Sequence, residues 1–262
     1  MLSDRFSLSA IVLAAGFSVC SSSPCFAQTD VQPRWTESTT TKVKPEMRRE
    51  FEAYLKQVMA AYKKAGTPWF LTRETFAGNT TEYTTEVPVM KFGDLNGPSV
   101  LEKVLGEAGW ERLSQDMARC YTAQSRQYAT PQTELEINKT DVPMGTYWIE
   151  MTTVVAPGRL GDYLMWLQND YRPALEKAGV AHFQVSQSIF GTAAGEVVTR
   201  RMLKSFGEVD EGPVLSKALN EEEARAVAAK AAPLVSASIT KIVRVRADLS
   251  YSAAQLLRTH RD

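Results

Sequence analysis

Between Tyr147 and Val155 the chain alternates. Ile149, Met151, Thr153 and Val155 point one way and Trp148, Glu150, Thr152 and Val154 the other, a period of two that predicts a β-strand. Pro157-Gly158 then opens a stretch that places Leu160, Tyr163, Leu164, Leu167, Tyr171, Ala174 and Leu175 on one helical stripe. Lys177-Ala178-Gly179 ends it with a cationic last turn and a glycine stop, and Pro173 predicts a kink inside it. Strands follow over His182–Phe190 and residues 196–203, joined by a hairpin loop at 191–195. Helix is predicted over 212–219 and from 220 to about 235, the second carrying Asn220 and Glu223 as reciprocal caps. Residues 239–249 predict a fourth strand.

The same order of strand, helix, strand, strand, helix, strand is written once before, over Trp35–Val43 and residues 45–65, 69–76, 82–90, 97–123 and 126–137. Landmarks repeat with it. Val43-Lys44-Pro45 answers Val155-Ala156-Pro157, Phe92-Gly93-Asp94-Leu95 answers Phe206-Gly207-Glu208-Val209, and Gly97-Pro98 answers Gly212-Pro213. The spacing grows only from 112 residues at Val43 and Val155 to 114 at Phe92 and Phe206, so the copies differ by single-residue insertions. Self-similarity of this kind predicts a duplicated unit, with repeat one over residues 28–142 and repeat two over 143–262.

Residues 1–27 are expected to be a secretory signal, because Arg5 precedes an apolar run too short to span a bilayer and Cys25-Phe26-Ala27 suits a peptidase; this implies a secreted or periplasmic protein. Lys plus Arg and Asp plus Glu number 30 each, a balance that favours neither nucleic acid nor an anionic membrane. Removal of the leader leaves Cys120 as a single thiol, expected to be buried and unable to form an internal disulfide. Asn79-Thr80-Thr81 and Asn138-Lys139-Thr140 match the glycosylation sequon.

The element order, with the repeated Phe-Gly-acidic-aliphatic and Gly-Pro signatures, resembles the ferredoxin-like unit of the dimeric α+β-barrel superfamily. Antibiotic-biosynthesis-type monooxygenases, NIPSNAP-like proteins and secreted bacterial members belong to that group. The resemblance implies two βαββαβ repeats whose open sheet faces press together into a barrel, supplied here by one chain.

Alternation then assigns the barrel interior. His182, Gln184, Ser186 and Ser188 are expected to face it, with Trp148, Glu150 and Thr152 from the first strand of that repeat and Arg244, Arg246 and Asp248 from the last. The repeat spacing puts Ser38, Trp69, Thr130 and Gln132 at the positions of Glu150, His182, Arg244 and Arg246, which places a candidate ligand site in the second repeat, walled in part by Trp69 and with Arg73 reaching in from the first. Glu150 is expected to pair with Arg244 or Arg246 across neighbouring strands. His182 is the best candidate for a general base. With only two histidines and one retained cysteine, no metal site of the His-rich or Cys-His type is expected, nor any cofactor. Two functions remain open: a binder of a small molecule, or a cofactor-independent monooxygenase or isomerase acting on a small aromatic substrate. A homo-oligomer is compatible with either.

Overall fold

The structure is a computed structural model, described for residues 33–139, 141–142 and 144–252. The expected signal segment, Thr140 of the second sequon and His260 lie outside the described residues.

Four strands open the fold: β1 (Trp35–Val43), β2 (Trp69–Ala77), β3 (Glu82–Val89) and β4 (Tyr121–Pro131). Helix α1 (Arg48–Lys64) joins β1 to β2, and α2 (Val100–Leu105) with α3 (Glu107–Ala118) joins β3 to β4. A two-residue β5 (Ile137–Asn138) follows. The second set is β6 (Tyr147–Val155), β7 (His182–Phe190), β8 (Glu196–Met202) and β9 (Val235–Val245). Between β6 and β7 run α4 (Leu160–Trp166), a π-helical turn over Leu167–Tyr171 and α5 (Arg172–Lys177). Pro173 has no N–H to give and its ring would strike the carbonyl one turn back, so the wider turn before it accommodates the expected kink. Helices α6 (Gly207–Asp210) and α7 (Glu221–Ala231) join β8 to β9, and β10 (Tyr251–Ser252) pairs with β2. Asn220 and Glu223 form the expected reciprocal cap of α7.

The strands form one antiparallel sheet in the order β2-β3-β1-β4-β7-β8-β6-β9, and pairing of β9 with β2 closes it into an eight-stranded barrel. Each quartet has the same internal order, with its first strand between its third and fourth. Two seams join the quartets: β4 to β7, over Tyr128–Pro131, and β2 to β9, over Arg73–Ala77. The helices cover the outside. Phe51, Leu55 and Val58 of α1 pack on Val43, Phe70, Tyr83 and Val87, and Tyr163, Trp166, Leu167 and Leu175 pack on Val155, Phe183, Val185 and Val197. Cys120 is fully buried in the first of these cores.

The repeated Phe-Gly motif fastens both seams. Phe92 meets Trp35 of its own quartet edge to face at 4.8 Å and Phe190 of the other at 5.6 Å. Phe206 lies 4.7 Å from Tyr147 in its own quartet and 5.1 Å from Phe76 in the other. These spacings are those of favourable ring pairs.

The fourth strands depart from expectation in the same way. They begin at Tyr121 and Val235, not at 126 and 239, and the second stops at Val245. Residues 122–126 and 236–240 are exposed throughout, so neither start has a buried face.

Candidate functional site

Cross-strand register decides what faces the interior. Glu150 lies opposite Arg200 on one side and Lys241 on the other, and Gln184 lies opposite Arg200, so these four share the inner face. Ser38 and Glu86 are paired in the same manner across β1 and β3. The result is a buried ionic network at the barrel centre. Arg200 Nε donates to Glu150 Oε2 at 2.6 Å, Nη2 to Glu86 Oε1 at 3.0 Å and Nη1 to Ser186 Oγ at 3.3 Å. Lys241 Nζ reaches Glu82 at 2.7 Å and Glu150 at 3.2 Å. Arg73, only 3% exposed, touches the Glu86 carboxylate as an ion pair without hydrogen-bond alignment, and its Nε stands 3.8 Å from Glu150.

Burial by itself would raise the Glu150 carboxyl. Arg200, Lys241 and Arg73 outweigh it and hold the group down to about 2. Glu86 is lowered for the same reason, with Arg200 and Arg73 overcoming its desolvation. Burial and the neighbouring Arg200 both press Arg73 below the usual guanidinium range.

The sequence-predicted residues separate into two groups. Trp148, Glu150, His182, Gln184, Ser186 and Arg73 lie on the inner face, and Trp69 stands at the start of β2 in the same alternation as Arg73. His182 is buried and its Nε2 donates to the Val142 carbonyl at 2.8 Å, beside the Trp148 ring. Arg244 and Arg246 require a correction. They lie on the outer face, because Val243 and Val245 turn inward and pack with Trp148, Ala181 and Met202 into an apolar plug. Glu150 therefore pairs with Arg200 and Lys241 instead. The inward charges are also not confined to the second quartet, since Arg73, Glu82 and Glu86 come from the first. Arg200 sits on β8, where both faces mix polar and apolar residues and alternation alone decides nothing; Glu86 sits on β3, which alternates, with Tyr83, Val87 and Val89 on one face and Glu82, Thr84 and Glu86 on the other.

Outside, Arg244 and Arg246 build a second cluster on the β2–β9 seam. Glu74, itself buried, receives Arg244 at 2.6 Å, Arg246 at 3.2 Å and a contact from Arg48. Glu52 accepts from Arg246 at 2.6 Å and from the Tyr83 hydroxyl at 2.6 Å, and with these bonds outweighing burial its carboxyl falls to about 2. A cleft of about 400 Å³ opens here, lined by Val43, Lys44, Pro45, Arg48, Glu74, Phe76, Tyr83 and Arg244. Its wall carries three cations against one carboxylate, and Arg244 Nε has no acceptor. A second cleft of about 370 Å³ runs along β8 and α6, but there Arg201 is matched by Glu208 and Lys217 by Glu211. Neither cleft touches His182.

Among solved structures, an anthrone oxidase-like protein superimposes with a TM-score of 0.62 at 13% identity, covering 85% of this chain and 94% of its own. The chain has the dimeric α+β-barrel fold. A proposed monooxygenase from Lactobacillus acidophilus NCFM gives a TM-score of 0.57 at 8% identity, covering 87% of this chain and 100% of its own. One from Fusobacterium nucleatum gives 0.57 at 8%, covering 86% and 97%. No protein-family model matches the sequence, and no curated protein does. Among the described residues no helix is long and apolar enough to cross a membrane.

Proposed function

We propose that this chain is a tandem duplication of a ferredoxin-like βαββαβ unit, secreted or periplasmic after loss of residues 1–27, that binds a small anion with an apolar or aromatic body in the cleft on the β2–β9 seam. The observation that carries the binding reading is the cleft wall itself. Arg48, Arg244 and Lys44 outnumber the one carboxylate among them, and Phe76, Tyr83, Val43 and Pro45 offer apolar surface within the same opening. Planar guanidinium groups suit a carboxylate, and a mostly apolar wall with a few fixed polar groups suits the rest of the ligand. The barrel centre, by contrast, is occupied by ion pairs among Arg200, Lys241, Glu86 and Glu150.

Calorimetric titration with benzoate and naphthoate, against the neutral amides of the same rings, tests the reading. Binding of the acids alone is expected, weakened at least ~10-fold by Arg244→Ala, the loss of roughly one charge-assisted hydrogen bond. Equal binding of acid and amide, or no effect of the substitution, would overturn it. The likeness in fold to proposed monooxygenases supports the second reading, a cofactor-independent oxygenase or isomerase. Oxygen uptake with a panel of quinols, abolished in His182→Ala, would establish that reading in place of the first. Amino-terminal sequencing of the exported protein is expected to begin at Gln28.

A further inference from the structure

The exposed start of β9 is a strand with one partner. Over Ser236–Thr240 it pairs with β6 alone, because β2 reaches β9 only from Ile242 onward. All five residues are exposed, Ile239 to 72%. Free strand edges in stable proteins are blunted by charge, proline or a bulge, because unpaired N–H and C=O groups recruit another strand. None of the five residues here is charged or a proline, and the one irregularity, the extra residue Ser236 between the pairs Val154–Ala237 and Val155–Val235, lies at the far end and leaves Ala237–Thr240 regular. The equivalent start of β4 is defended. It carries Arg126, and the tip of the β7–β8 hairpin, with Gly191 in a positive-φ turn against the Arg126 carbonyl, lies over it.

We propose that this edge pairs antiparallel with the same edge of a second copy of the chain. The residues fit that occupant. From Ala237 to Thr240 apolar and hydroxyl side chains alternate, as Ala, Ser, Ile, Thr. In a two-fold pairing centred on Ser238, Ile239 of one copy faces Ala237 of the other, large against small, and Ser238 faces its own counterpart. Residues opposite one another point to the same face, so one face of the joint is apolar and the other is lined by hydroxyls. A charged edge would place like charges opposite themselves; this one places none. The contact is short, well below the ~800 Å² per partner of stable interfaces, so the dimer is weak and depends on concentration.

Sedimentation velocity from about 5 to about 500 µM tests this, since a short edge pairing is expected to populate within that range. The wild-type chain is expected to shift from monomer to dimer. Ser238→Lys, which sets two ammonium groups face to face, should raise the dissociation constant at least tenfold, and Ile239→Lys should weaken it less. Both sites are exposed, so melting temperature should not change. Amide exchange of residues 236–240 should slow at the high concentration. A chain that stays monomeric throughout, a dimer indifferent to both substitutions, or protection appearing instead at residues 122–126 would each overturn the proposal.

Discussion

The two seams of the barrel are built from equivalent positions and do different things. On the outer face of the β2–β9 seam stand Glu52, Glu74, Arg48, Arg244 and Arg246, locked into one ionic cluster beside a cleft. The repeat spacing places Leu164, Gln187, Leu160, Thr130 and Gln132 at the same stations of the other seam, and not one is charged. Both seams keep the aromatic clasp of Phe92 or Phe206. What holds the quartets together is thus retained twice, while what could recognise a ligand is present once. The interior follows a related rule: Arg73 and Glu86 in the first quartet correspond to Ser186 and Arg200 in the second, so the central charges complement each other across the barrel without repeating.

The largest effect is expected at the centre. Arg200→Met leaves Glu86 and Glu150 buried without their main partner and should cost about 3–5 kcal/mol, read from urea unfolding, whereas Ser186→Ala, at the station equivalent to Arg73, should cost about 1 kcal/mol or less. Similar small losses for both would show that the network is not what supports the barrel. Acid should act next. Glu150 and Glu52 both fall to about 2 in the folded chain, below the usual carboxylate range, so the unfolded chain takes up protons first. Stability is therefore full above about pH 5 and is lost as pH falls toward 2, on the order of 3 kcal/mol from Glu150, and Glu150→Gln should flatten that slope in melts between pH 7 and 3.

The clasps allow a symmetric test. Phe92→Ala and Phe206→Ala remove half-exposed rings and should each cost about 1–2 kcal/mol, with similar values at the two seams, because both rings bridge the quartets. A large inequality would mean that one seam alone carries the closure. The smallest effect is expected at Glu136, whose carboxyl burial pushes up to about 6. Its folded state holds a proton that the unfolded state releases, so stability falls as pH rises from about 4.5 to 6. Glu136→Gln should gain about 1 kcal/mol at pH 8 relative to pH 5 by thermal melting.

Most of the architecture was legible because it rests on periodicity. The alternation of β6 and β7 and the stripes of α1 and α4 each reflect one buried face, and a buried face leaves its mark on residue type. The starts of β4 and β9 have no such buried face. The site was legible only in part. Glu150, Gln184 and Ser186 were placed inward from parity, Arg73 was expected to reach in from the first repeat, and all four share the inner face. Arg244 and Arg246 failed for a physical reason: parity names two faces of a strand but not which is the core, and here Val243 and Val245 serve an apolar plug inside the barrel. Arg200 lies on β8, whose alternation is mixed, so only the register of neighbouring strands could bring it forward, whereas Glu86 lies on β3, where the alternation of Tyr83, Val87 and Val89 with Glu82, Thr84 and Glu86 already carried the signal.

The crossing ion pairs have a consequence for descent. Arg73 with Glu150, Arg200 with Glu86 and Lys241 with Glu82 each tie one half of the gene to the other. Under the proposed duplication, neither copy could be discarded once these were in place, nor could either drift at its inner positions without a matching change in the other. The two quartets would then be heritably bound to one another.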